Sequence, residues 1–264
     1  MLNIKGLSDT SSAGGGSPGA VISYLQNREQ GHVTIDGVYY STGYYSKSAP
    51  STWHGSLAGD LGLSGSVATA DLEAMLSGET PQGEVFGARR GGHRRMGNDL
   101  TFSSPKSVSI QALAVGDSTM IAAHDRAVAR ALDYIEREVM SARYGRNGTY
   151  SEKTGSAAIA AYRHEDGRPV DGVVDPTLHT HAIAINVTRD TGGHLRSTDL
   201  DFGTDSVRMR TADAVYKATL SKELEAAGYR TRRTEHGFEL AEITNVQIQS
   251  FSRRTAQIEA SAQY

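Results

Sequence analysis

Apolar positions fall along this chain with two different periods. Ala182-Ile183-Ala184-Ile185 follows His179-Thr180-His181, and a second run, Ala157-Ala158-Ile159-Ala160-Ala161-Tyr162, lies upstream. Short apolar runs of this kind read as buried strands, and the two are placed to pair. Leu100 to Ser103 alternates in the manner of a third strand. Elsewhere the spacing is helical. Ile121, Val128, Leu132, Ile135 and Val139 form one stripe of a helix expected from Ser118 to about Arg143. A second long helix is expected over Val207 to Ala227, closed by Gly228.

Shorter helices are marked by their ends. Ser17 and Pro18 start one that runs from Gly19 to about Gln26, in which Tyr24 reads as a half-buried tyrosine. Thr69 is the expected cap of a helix reaching Leu76, and Ser104 of one that begins at Pro105 and ends near Gly116. Trp53, the only tryptophan, falls in a polar loop. Tyr229 to Leu240 reads as a hairpin turning at His236-Gly237. Thr244 and Gln247 form a capping box for a last helix that contains Arg253-Arg254. That helix is still running at Tyr264, which reads as the front piece of a longer protein.

Composition narrows the chemistry. Among 264 residues there is no cysteine, which excludes disulfides, thiolate metal sites and a cysteine nucleophile. No segment resembles a signal peptide or is long and apolar enough for membrane insertion, so a cytoplasmic location is expected. The formal net charge is −3, so nucleic acid would have to be met by local basic patches.

Those patches exist. Arg89, Arg90, Arg94 and Arg95 share a glycine-broken loop with His93; Arg230, Arg232 and Arg233 share the hairpin. A charge run is commonly a solvated face, but arginines on a flexible loop also suit phosphate. Lys106 adds a cation at a helix start, where backbone amides already favour an anion.

His179 and His181 stand two apart on a strand, so both imidazoles reach one side. His164, at the end of the other apolar run, supplies a third. Three neutral imidazoles make an all-nitrogen site for a divalent metal with positions left open; the plainer reading is that they cap a core strand. Asp99 begins its strand where a carboxylate could reach such a site. Five of the 12 tyrosines lie between Tyr24 and Tyr45, compatible with strand edges, base stacking or a phenolic nucleophile. A metal site of this kind suits attack on a phosphate, either by an activated water, as in a phosphodiesterase, or by tyrosine. A non-catalytic single-strand DNA-binding module with a structural metal is the third reading.

Two long motifs and two shorter ones, in order, then resemble a family. Asp175-Pro176-Thr177-Leu178-His179-Thr180-His181 with Asn186, and Asp99-Leu100-Thr101-Phe102-Ser103-Ser104-Pro105-Lys106-Ser107-Val108-Ser109, are similar to the TrwC/TraI-type (MobF class) conjugative relaxases of the HUH endonuclease superfamily. Leu61-Gly62-Leu63-Ser64-Gly65 and Ala123-His124-Asp125-Arg126-Ala127-Val128 also resemble it, so the likeness spans nearly the whole chain.

The resemblance implies an α+β fold: a central antiparallel sheet with helices packed on it, and a mobile C-terminal finger, about residues 230–264, over the DNA. It implies one relaxase domain over residues 1–264, followed by a helicase. The implied activity is nicking of single-stranded or hairpin DNA at a plasmid transfer origin, giving a reversible 5′-phosphotyrosyl bond. By motif, His164, His179 and His181 would hold Mg²⁺, Mn²⁺ or Zn²⁺, and Asp99 would orient a histidine and assist the nucleophile. Tyr24 stands where the family has its first tyrosine, and Tyr44, in the Tyr44-Tyr45 doublet, where it has the second. The first doublet is absent, because Leu25 follows Tyr24, and Asn27 to Val38 reads as extra sequence, leaving Tyr39 or Tyr40 as rivals for the second role. Implied partners are the other relaxosome proteins and a type IV secretion coupling protein, with the chain itself a monomer, encoded on a bacterial plasmid and transferred with the DNA.

Overall fold

A computed structural model describes residues 1–8, 17–26, 33–35, 38–40, 49–87, 95–144, 149–167, 169–199 and 207–261. In chain order the elements are β1 (Leu2–Ser8), α1 (Pro18–Leu25), the β2 (Val33–Ile35) and β3 (Val38–Tyr40) pair, β4 (Ser51–His54), α2 (Ser56–Asp60), α3 (Thr69–Ser77) and β5 (Arg95–Ser103). There follow α4 (Lys106–Leu113), α5 (Ser118–Glu138), the β6 (Ser141–Tyr144) and β7 (Tyr150–Lys153) pair, β8 (Ile159–Asp166) and β9 (Pro176–Ile185). A short β10 (Thr188–Arg189) and β11 (Leu195–Arg196) ladder leads to α6 (Val207–Ala226), the β12 (Thr231–Thr234) and β13 (Gly237–Leu240) hairpin, α7 (Asn245–Ser250) and α8 (Arg253–Ser261).

The expected α+β architecture is observed: an antiparallel sheet of order β1-β5-β9-β8-β4 with helices on both faces. The strand with the histidine pair is the central one. Its alternation divides the core. Leu178, Ala182 and Ala184 join Leu100 and Phe102 of β5 against α5 and α6, whereas Ile183 and Ile185 join Tyr162, Trp53 and Leu25 against α1 and α3. A fully buried Leu, Ile or Phe contributes about 1.5–3 kcal/mol by leaving water, so a one-residue slip of β9 would forfeit both layers. Gly97 secures the register of β5 on β9, since a Cβ there would lie 2.3 Å from the Ala184 carbonyl oxygen.

Several boundaries differ from the sequence expectation, each for a local reason. Trp53 is not in a loop but on β4, paired with Ala160 and buried. Thr69 is the first residue of α3 rather than its cap; Ala68 takes that position, and the Thr69 hydroxyl accepts a hydrogen bond from Gln26. α4 starts at Lys106 with Pro105 as its cap, because the Ser104 hydroxyl is engaged with Ser109. α5 stops at Glu138, and Ser141 to Tyr144 turns into a strand against β7. The β12–β13 hairpin turns at Glu235-His236, with Thr234 paired to Gly237. The capping box of Thr244 and Gln247 is formed, but it serves α7; a break at Phe251-Ser252 separates the arginines onto α8.

Candidate active site

Where β8 and β9 run out beyond the apolar layer, His164, His179 and His181 continue the same faces. Register places His164 directly opposite His179. One ring nitrogen from each residue lies within 4.8 Å of the others, and no other such group of metal-binding side chains occurs among the described residues. The rings stand 5.1–5.2 Å apart between centroids.

The free nitrogen on each ring is fixed by what the other one meets. His164 Nε2 faces the Leu25 carbonyl at 2.8 Å, His179 Nδ1 the Thr177 carbonyl at 2.9 Å, and His181 Nδ1 the Asp99 carboxylate at 2.8 and 2.9 Å. Each partner can only accept, so each of those nitrogens carries the proton and donates. The lone pairs left over are Nδ1 of His164 and Nε2 of His179 and His181. Carbonyl and carboxylate partners of this kind are what orient imidazole ligands in metal sites. Burial lowers the pKa of His164, and lowers that of His179 to about 4, with the neighbouring imidazoles adding to the effect. Those two rings therefore favour the neutral form, the one that binds a metal. The donor set fits a divalent ion.

Asp99 reaches His181 diagonally across the β5–β9 ladder, since its direct partner is Ile183. Thr101, opposite His181, has its hydroxyl 3.2 Å from His181 Nδ1 and 3.3 Å from Asp99. Sequence reasoning missed Thr101, although it lies two residues after Asp99 and so on the same face.

Tyr24 comes to this cluster from α1. The N-cap Ser17 accepts a hydrogen bond from Ala20, and Val21, Ile22 and Leu25 seat the helix on the sheet. This leaves Tyr24 47% exposed. Its hydroxyl lies 3.2 Å from His181 Nε2, one of the lone pairs, and so donates to it. Tyr24, the histidines, Asn3, Asp166 and Thr177 line an open cleft of about 680 Å³.

Tyr44, Tyr45, Arg89, Arg90 and Arg94 lie outside the described residues, and Tyr39 and Tyr40 are described only as backbone of β3. Arg95 is exposed at the start of β5, where it donates to Asn98. Lys106 points inward, donating to the Pro176 carbonyl at 2.9 Å, and burial lowers its pKa. On the hairpin, Arg230 pairs with Glu242, Arg232 donates to Asn245, and Arg233 is exposed. A further contact was not foreseen: the buried Asp175 carboxylate accepts from both the backbone amide and the guanidinium of Arg253, at the start of α8.

The site is thus an antiparallel sheet bearing an imidazole triad, backed by a carboxylate and faced by a helix-borne tyrosine. The chain belongs to the TrwC relaxase family, whose model matches residues 18–264. It is 34% identical over 217 residues to the multifunctional conjugation protein TraI of Escherichia coli, covering 78% of this chain and 12% of that protein. The chain thus spans about an eighth of the curated relative. Two solved structures are similar over 98% of the chain. TrwC complexed with a 27-mer DNA comprising the recognition hairpin and the cleavage site has a TM-score of 0.79 at 35% identity, with 81% of that chain covered. The metal-bound conjugative relaxase TrwC in complex with oriT DNA has a TM-score of 0.80 at 36% identity, with 82% covered.

Proposed function

We propose that this chain is a metal-dependent, strand-specific DNA transesterase that nicks single-stranded DNA at a transfer origin. The observation that carries the reading is the Tyr24 hydroxyl, exposed in the cleft and 3.2 Å from an imidazole lone pair of the histidine cluster. The TrwC complexes with hairpin, cleavage-site and oriT DNA support the substrate class.

In this reading His164, His179 and His181 hold a divalent cation, for which three nitrogen donors favour Zn²⁺ or Mn²⁺ over Mg²⁺. When bound, the cation supplies positive charge to the phosphate oxygens and draws the phosphorus toward attack. The His181 lone pair that accepts from the Tyr24 hydroxyl would be one of the three that hold the cation, which sets the attacking oxygen beside the ion's site. Asp99 keeps the proton on His181 Nδ1. The Tyr24 oxygen bonds to phosphorus as the bond to the 3′ oxygen breaks, and the phenolic proton ends on that leaving oxygen. The products are a 5′-phosphotyrosyl strand and a free 3′-hydroxyl, and the same step reversed rejoins them. Tyr44 is proposed for a second strand transfer. The arginines of residues 89–95 and of the hairpin are proposed to contact phosphates.

The test is a denaturing gel after incubation with a divalent cation and labelled oligonucleotides bearing candidate origins. A covalent adduct that disappears in Tyr24→Phe supports the reading. Cleaved DNA without an adduct would transfer the reaction to an activated water, and an adduct that persists in Tyr24→Phe would move the nucleophile elsewhere.

A further inference from the structure

On the far side of the sheet from the cleft, a chain of polar groups crosses the apolar core. Thr180 lies between His179 and His181, so strand alternation turns its side chain to the opposite face. There its hydroxyl lies 2.8 Å from His124 Nε2 of α5, and His124 Nδ1 lies 2.8 Å from the Tyr216 hydroxyl of α6. Both His124 and Tyr216 are fully buried, and Thr180 is 4% exposed. Two helices therefore hold the central strand at the one residue that separates the ligand pair.

Nothing in the cleft touches His124, although it sits in the Ala123-His124-Asp125-Arg126 motif. An apolar side chain would fill this position without any hydrogen-bonding requirement. An imidazole here needs both nitrogens satisfied, since a buried polar group left unpaired costs about 1–3 kcal/mol. The neutral ring, one donor and one acceptor, meets two hydroxyls that can each take either role. What such a network adds over apolar packing is direction. It fixes the Thr180 rotamer and the distance from β9 to α5, and with them the local pleat. The neighbouring histidines depart from that same pleat toward the opposite face.

We infer that His124 is a positioning residue for the metal centre: through Thr180 it sets the geometry at which His179 and His181 converge. This rests on the reading of the histidine cluster as a divalent-cation site. Calorimetric titration with Mn²⁺ and with Zn²⁺ of the wild type, His124→Phe, Thr180→Val and Tyr216→Phe tests it, alongside thermal unfolding of each metal-free protein. His124→Phe and Thr180→Val are each expected to weaken cation affinity about tenfold, the lower range for loss of an outer partner of a metal ligand. Together they should lose little more than either alone, because both break one link. Tyr216→Phe, one bond further from the strand, should lose less. Thr180→Val keeps the shape of the side chain and carries the test if His124→Phe does not fold. A lowered Tm with unchanged affinity in both variants would overturn the inference and leave His124 a core residue only. Wild-type protein that binds neither ion, or affinity that survives in His179→Ala/His181→Ala, would instead remove the metal reading beneath it.

Discussion

The Leu25 carbonyl accepts the Nε2 proton of His164 at 2.8 Å, so the residue directly after Tyr24 decides which nitrogen the third histidine offers. The Leu25 side chain is fully buried between α1 and the sheet. One residue thus ties the tyrosine-bearing helix both to the core and to the imidazole cluster. A phenol in place of Leu25 would have to enter a closed apolar layer. Leu25→Tyr is expected to cost about 1–3 kcal/mol by overpacking and to lower cation affinity as α1 shifts. Chemical denaturation and metal titration check this; an unchanged midpoint would mean that α1 accommodates the larger ring.

Asp99→Asn probes the other fixed tautomer. Asparagine can still accept from His181 Nδ1 through its amide oxygen, but it removes the negative charge at 2.8 Å. Loss of such an outer partner costs about 10–100-fold in metal affinity or activity. The nicking rate should fall within that range while the fold survives. A variant that nicks at the wild-type rate would reduce Asp99 to a spacer.

The strands were legible because their period is two, and with them the convergence of His179, His181 and His164: alternation alone puts a His-x-His pair on one face. Asp99 was expected at the start of its strand; it lies in the middle of β5, which begins at Arg95, and meets His181 through the pairing with β9. What escaped depends on tertiary partners. Trp53 looked like a loop residue because Ser51, Thr52 and His54 around it are polar, and only pairing with β8 buries it. The Asp175–Arg253 contact joins residues far apart in sequence, with no periodic signal at either end. Helix ends slipped where a side chain expected to cap had another partner, as Ser104 does in Ser109.

Acid should destabilise the metal-free protein through its buried imidazoles. An unfolded histidine titrates near 6.5, whereas burial holds His179 at about 4 and His124 at about 3 in the folded chain. Between those values the unfolded state binds more protons, so stability rises with pH across the window. The contribution is complete above about 6.5 and is lost as pH falls toward the folded values, at most about 2 kcal/mol for His179 by pH 5. The Tm in chelator should therefore be flat from pH 8 to 7 and decline from 6.5 to 5. His179→Ala should make that decline shallower; an equal slope in the variant would mean that other groups carry it.

Helix α8 buries no residue of its own, and its first turn is held by Asp175, whose side chain is 9% exposed against 43% for Arg253. The carboxylate takes the first backbone amide of the helix and the guanidinium together, and it lies just before the strand that carries the histidine pair. Asp175→Asn keeps one acceptor and removes the charge, a loss on the order of 1–2 kcal/mol for a charged hydrogen bond with one half-exposed partner. Because α8 has little else to hold it, the cost should appear as local opening rather than global unfolding. Trypsin cleavage after Arg253 and Arg254 should quicken roughly 5–30-fold, with the Tm nearly unchanged. Cleavage at the wild-type rate would show that α8 is secured by contacts other than this pair.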